Sequence, residues 1–177
     1  MALNPRVAIG ALALSAAAFV GLATHEGYTD RAVIPTKGDV PTVGFGSTIK
    51  EDGTKVTMAD ATTPVAALQR SMVHLAKDEA RLKQCVTAPL HQAEYDTLVD
   101  FSYQYGVHKT CTSAMVNLVN AGKYAQACEA YTRYRFSAGF DCSTPGNKVC
   151  SGVWIRSQKR RDVCAAAAGP PSLGVTG

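Results

Sequence analysis

Glu26, Asp39 and Thr42 lie close together in the chain and run directly into Gly44 and Gly46, within Pro41-Thr42-Val43-Gly44-Phe45-Gly46-Ser47-Thr48. Two carboxyl groups and a hydroxyl are the parts of a general acid–base site, in which one group gives a proton and the others hold and polarise a water. Alternating glycines let a strand approach another chain closely. Each residue also has a plainer reading. Glu26 suits an exposed helix surface, Asp39 after Gly38 suits a turn, and Thr42 suits a strand by propensity alone. It is the ordered set that points to chemistry. The four histidines, His25, His74, His91 and His108, have no partner spacing and read as surface or packing residues.

What precedes Glu26 bears on where that chemistry happens. Residues 7–24 carry no charge, while Arg6 and the α-amino group stand before them. A helix over this stretch rises about 27 Å, just short of the ~30 Å hydrocarbon core of a bilayer. Positive charge ahead of it predicts a cytoplasmic N-terminus, with everything after the segment outside. Eleven of the 18 residues are Ala, Gly, Ser or Thr, so the segment engages the export machinery yet is poorly held by lipid. A cleaved signal peptide, cut near Ala16-Ala17-Ala18 or Gly21-Leu22-Ala23, is the alternative. A cut after Ala23 leaves Glu26 beside a free terminus, a poor way to fix a catalytic acid, so an uncleaved anchor over residues 1–24 is expected.

A chain of 177 residues has room for one ordinary domain plus a short N-terminal appendage. With 46% hydrophobic and 18% charged residues, it is not a disordered chain. The net charge of +4 favours anionic surroundings without choosing between nucleic acid, a membrane surface and an acidic wall polymer. The six cysteines all fall in the second half, and an even count on an exported chain reads as disulfides. No Cys-x-x-Cys occurs, so neither metal nor cofactor is expected. Cys142–Cys150 is the local loop pair; Cys85–Cys111 and Cys128–Cys164 would then tie helix to helix.

The elements that must position these groups are legible in outline. Residues 25–30 read as the tail of a helix that continues from the apolar segment. Residues 32–57 hold too many prolines and glycines for a helix. Residues 42–48 and 55–57 are strand candidates around the Asp52-Gly53 turn. Thr63 as N-cap and Pro64 at the first position start a long helix that Pro89 stops. Further helices are expected over residues 92–105, 113–120, 124–135 and 156–164, with a loop over 140–152 and a loose tail over 165–177. A small β hairpin followed by a helical body is an α+β arrangement.

Residues 25–28, His25-Glu26-Gly27-Tyr28, followed by Thr42-Val43-Gly44-Phe45-Gly46, resemble the helix-plus-hairpin unit of the phage-type lysozymes, glycoside hydrolase family 24. Phe101-Ser102-Tyr103-Gln104-Tyr105-Gly106, residues 113–122 and residues 152–161 resemble that family's later helices in the same order, so the likeness covers most of residues 25–164. The weakly apolar start resembles the signal-anchor-release endolysins. One departure is plain. Where the family carries its aspartate, this chain has Pro35 and Thr36, and the nearby carboxylate is Asp39, three residues before Thr42.

The resemblance implies a lysozyme-like fold with a hairpin lobe and a mainly helical lobe, and a muramidase that cleaves the β-1,4 bond between N-acetylmuramic acid and N-acetylglucosamine. Glu26 is then the general acid, kept protonated by desolvation, and Asp39 with Thr42 places the water; Thr36 is the alternative to Asp39. Gln104, Gly44 and Gly46 face the sugar. Arg156, Lys159, Arg160 and Arg161 either meet anionic wall or lipid or form a solvated helix face. A lytic transglycosylase and a wall-binding protein without catalysis are the rival readings. The implied partners are peptidoglycan and, through residues 7–24, the host inner membrane; no nucleic acid is implied, and a monomer is expected. The enzyme would wait in the inner membrane, its catalytic domain periplasmic and inactive, until release lets the segment refold and position Glu26.

Overall fold

The computed structural model describes residues 5–35, 38–137 and 139–168. Residues 14–80 and the pair of stretches 1–13 and 81–177 form two compact units. The loose-tail expectation lies outside the described residues from residue 169 on, and Thr36 lies outside them too.

The first unit, Leu14–Ala80, begins with helix α1, Ala16–Glu26. Ser15 caps it: its side chain accepts the Ala18 N–H at 3.1 Å, which satisfies one of the donors a helix start leaves over. The Leu14 N–H just ahead is held by Glu79 Oε1 at 2.8 Å. The helix ends because Gly27 turns to φ +70°, a conformation glycine adopts without side-chain clash. Strands β1, Thr29–Val33, and β2, Thr42–Gly44, then pair antiparallel. Residues 25–30 are therefore not a helix tail: Gly27 closes the helix, and Thr29 already belongs to β1. The arms around Asp52-Gly53 do meet, but as a single Ile49–Lys55 bridge and not as strands. Ala32, Val43 and Val56 form the small core beneath this hairpin. Helix α2, Pro64–Cys85, starts at the expected proline and stops four residues before Pro89.

The second unit is built round helix α3, Gln92–Tyr105, whose Tyr95, Leu98, Val99 and Phe101 are all buried. Gly106, at φ +84°, ends α3 and begins a short helix the sequence reading missed, α4, Val107–Cys111. Ser113 caps α5, Ala114–Asn120. Helix α6, Tyr124–Glu129, tightens into a 3-10 turn, Ala130–Arg133. Strands β3, Phe136–Ser137, and β4, Phe140–Asp141, make a second hairpin inside the stretch read as loop. The last helix, α7, Ser151–Ala168, starts earlier and runs longer than expected. The rings of Tyr105, Tyr131 and Tyr134 surround Phe101, with Tyr134 edge-on at 4.6 Å.

All three disulfides pair as the sequence suggested: Cys85–Cys111, Cys128–Cys164 and Cys142–Cys150, with Cα separations of 5.6, 5.3 and 5.0 Å. The first joins the ends of α2 and α4, and the second joins α6 to α7. The basic face of α7 needs a correction. Arg160 is only 4% exposed and is bonded to Asp100 of α3, so it is neither a solvated residue nor an anion contact. Arg156 shares the same carboxylate at 3.8 Å.

The expected N-terminal anchor helix over residues 7–24 is not formed. Val7 instead exchanges two 2.9 Å backbone hydrogen bonds with Leu90 of the second unit. Ile9–Ala11 is a 3-10 turn closed by an extended Leu12, and regular helix begins only after Ser15. Eleven helical residues rise about 16 Å, half of what a bilayer core requires. No helix among the described residues is long and apolar enough to cross a membrane. The reason lies in composition: Ala, Gly and Ser gain little from lipid, Gly10 and Ser15 weaken a continuous helix, and the buried Ile9 and Leu12 gain more from a protein core. The segment is also clamped by charge. Arg6 makes a two-pronged ion pair with Glu94 of α3, 2.7 Å at its shortest, and its guanidinium stacks over the Tyr124 ring at 3.6 Å.

Candidate active site

Glu26 is the last residue of α1 and is partly buried. A helix C-terminus followed by a glycine turn projects this side chain toward the hairpin loop that follows β2. The contact is close: a methyl group placed on Gly46 would stand 3.4 Å from Glu26 Oε2. Gly46 itself is exposed and sits at φ +75°. Hence the acid lies beside bare backbone, where a Cβ would touch the carboxyl and the left-handed φ disfavours any other residue. The structure brings Glu26 and Gly46 together.

Gly44 does something different from what was expected. It is buried, and a Cβ there would come 2.7 Å from the Ala67 Cβ of α2. Its close approach is to the protein's own helix, so it fixes the seat of β2 and not a path for a sugar. Gly44→Ala should cost about 2–4 kcal/mol, combining the left-handed φ of +69° with overpacking against Ala67. In thermal melts, adding Ala67→Gly should recover the packing share of that loss and leave the conformational share. If Gly44→Ala alone leaves the melting temperature unchanged, this account of the strand's seat is wrong.

Thr42 is nearly buried, and its hydroxyl donates to the Val33 carbonyl of β1 at 3.4 Å. That long bond pins the hairpin and leaves the oxygen lone pairs for an incoming donor such as water. Asp39 stands in the loop between β1 and β2, exposed, with Oδ1 accepting the Val40 N–H at 2.8 Å. It is on the same hairpin as Thr42, within the same unit as Glu26.

The other carboxylates of the loops after β2 are unsuited to donating a proton. The Arg70 guanidinium bonded to Glu51 holds its carboxyl below the usual range. The Thr54 hydroxyl does the same for Asp52, and the Thr57 N–H and hydroxyl for Asp60. Groups that give up their proton this readily stay ionised at neutral pH. Glu26 is the candidate acid on geometry alone, at the end of α1 with its carboxyl beside Gly46.

Gln104 belongs to the second unit, in the last turn of α3, partly buried, with its Oε1 enclosed and lacking a hydrogen-bond partner among the described residues. Sequence reasoning missed two aromatic supports of the acid's surroundings. Tyr28, two residues after Glu26, packs against Phe45 with ring centroids 5.5 Å apart and donates its hydroxyl to the Thr62 carbonyl at 3.0 Å. Their flanking of Gly27 and Gly46 in the sequence was the available signal. Among the described residues no cluster of metal-ligating side chains occurs.

Comparison with known proteins agrees with this layout. The sequence pattern of the phage lysozyme family matches residues 23–160. The endolysin of Salmonella phage P22 is 28% identical over 120 residues, covering 68% of this chain and 81% of the relative. Among solved structures, an endolysin from Escherichia coli O157:H7 phage FAHEc1 superposes with a TM-score of 0.75 at 25% identity, over 91% of this chain and 98% of that one. The muramidase domain of SpmX from Asticaccaulis excentricus gives 0.68 at 21% identity, over 90% and 99% of the two chains, a likeness of fold.

Proposed function

The chain belongs to the phage lysozyme family, and from that premise we propose that it is a phage endolysin acting as a peptidoglycan muramidase. It hydrolyses the β-1,4 bond between N-acetylmuramic acid and N-acetylglucosamine, as a member of the signal-anchor-release group within glycoside hydrolase family 24. The observation that carries the reading is the carboxyl of Glu26, at the end of α1, set against the bare backbone of Gly46.

Glu26 protonates the leaving glycosidic oxygen, and Asp39 with the Thr42 hydroxyl holds the water that attacks from the opposite face. Gly46 keeps the wall of the site low beside the acid, and the Gln104 amide hydrogen-bonds the sugar. One observation favours a second reading, a lytic transglycosylase. Asp39 is exposed and bonded to its own loop, and the Thr42 hydroxyl is already engaged by Val33. An enzyme with the acid but no well-held water ends in a 1,6-anhydro sugar. Mass spectrometry of digested peptidoglycan in 18O-water separates them. The expected product carries one solvent oxygen at the new reducing end; a product lacking it and lighter by one water overturns hydrolysis in favour of the transglycosylase.

On the same reading the protein is a monomer that meets peptidoglycan and the host inner membrane but no nucleic acid. It first resides in that membrane through residues 7–24, N-terminus cytoplasmic and catalytic domain periplasmic, and is then released to the periplasm uncleaved. Lying in lipid would require breaking the Val7–Leu90 bridge and the Arg6–Glu94 pair. Glu26 rides on the helix that residues 16–26 form, so its placement depends on that refolding.

A further inference from the structure

We propose that the β3–β4 hairpin is a membrane-interface wedge that inserts Phe136 and Phe140 into the surface of an anionic phospholipid bilayer. The register pairs Phe136 with Asp141 and Ser137 with Phe140. Cross-strand partners share a face and neighbours along a strand alternate, so the two phenylalanines project from opposite faces of the ribbon. Both are left in water, 60% and 49% exposed. A glycan strand or a folded partner with one flat face would cover one ring and leave the other wet. A fluid apolar medium surrounds both.

The charges fit the same partner. Residues 136–140 carry no charge; Arg133 and Arg135 precede them, Asp141 follows at once, and Lys148 lies further on. The Arg135 guanidinium lies 5.2 Å from the centroid of the Phe136 ring, with Asp141 at 3.4 Å on its other side. A ring and a cation set side by side can divide between acyl chains and phosphates, the long side chain reaching back to the headgroups. The net charge of +4 adds attraction to an anionic leaflet.

The base of the ribbon is built to be stiff. The Cys142 N–H donates to the Arg135 carbonyl at 2.7 Å, the Cys142–Cys150 disulfide ties β4 to the start of α7, and Asn147 Oδ1 accepts the Val149 and Cys150 N–H groups. A wedge already in shape loses little chain entropy on insertion. Val149, 66% exposed beside the disulfide, extends the apolar surface.

The test is flotation of the full-length oxidised protein with phosphatidylglycerol/phosphatidylethanolamine vesicles and with phosphatidylcholine vesicles. The wild type should partition onto the anionic vesicles, and Phe136→Ser/Phe140→Ser should weaken that partition about tenfold or more while still hydrolysing lipid-free peptidoglycan sacculi. Residues 7–24 are the same in both proteins, so their own lipid affinity cancels. A second probe is Phe140→Trp in a Trp154→Phe background, where Trp154 is the chain's one tryptophan: its emission should shift blue on anionic vesicles and be quenched by brominated lipid. Equal flotation of wild type and double variant, or an emission that vesicles do not move, overturns the proposal. Loss of sacculus binding with vesicle binding intact overturns it as well, making the occupant a glycan.

Discussion

Glu26→Gln should lower the rate of peptidoglycan solubilisation by roughly 10³-fold, because it removes the proposed proton donor and keeps the shape of the side chain. The substitution should leave folding almost untouched. Glu26 ends α1 and is only partly buried, and the glutamine amide fits the same space beside Gly46. Binding to sacculi should persist, which separates the enzyme from a wall-binding protein of the same fold. Asp39→Asn and Thr42→Ala should reduce the rate less, and Thr42→Ala should also loosen the hairpin by losing its bond to Val33. The assay is turbidity loss of purified sacculi, with circular dichroism as the check on folding. If Glu26→Gln keeps more than about a tenth of wild-type activity, general-acid catalysis by this residue at ~10²–10⁴-fold is untenable.

Arg6→Ala should be among the most destabilising single changes in the chain. Glu94 is 3% exposed in its side chain and Arg6 is its partner, so removing the guanidinium strands a buried carboxylate. Breaking such a pair costs about 3 kcal/mol or more, which for a chain of this length lowers the melting temperature by roughly 6–12 °C. The loss of the cation stacked on Tyr124 adds to it. Glu94→Gln in the Arg6→Ala background should restore part of the stability, since the stranded charge is gone although the capping bond to the His91 N–H is weakened. A thermal melt reads all three proteins. A drop under about 2 °C for Arg6→Ala means that the clamp contributes no more than a surface pair does. The consequence reaches function: this clamp and the Val7–Leu90 bridge hold the N-terminal segment in the protein, and any membrane-resident form has to give both up.

Most of the helices could be read in advance, for local reasons. Proline at the first helical position marked the start of α2, and the apolar spacing of α3 matched its observed bounds. Of the disulfides, Cys142–Cys150 was legible as a short loop pair, whereas Cys85–Cys111 and Cys128–Cys164 had little support from spacing and were decided by the packing of the helices. The Glu26–Gly46 contact was not legible, because it depends on how the loop after β2 folds back toward the end of α1. What could not be read depended on partners far away in the chain. Residues 29–33 are a strand only because residues 42–44 lie beside them. Gly44 is glycine because of Ala67, and Arg160 is buried because Asp100 awaits it.

The N-terminal segment divides the two kinds of information most clearly. Sequence by itself determined that residues 7–24 carry no charge and are weakly apolar, and that Glu26 follows them at once. It also determined the order of acid, hairpin glycines and cysteines along the chain. Only the tertiary structure decided that the segment breaks into a bridge, a 3-10 turn and a short helix. The physical reason is competition. A run rich in small residues, interrupted by Gly10 and Ser15, buries too little apolar area to hold one continuous helix across a bilayer. A buried carboxylate at Glu94, an open backbone edge at Leu90 and a cap at Ser15 therefore set its course.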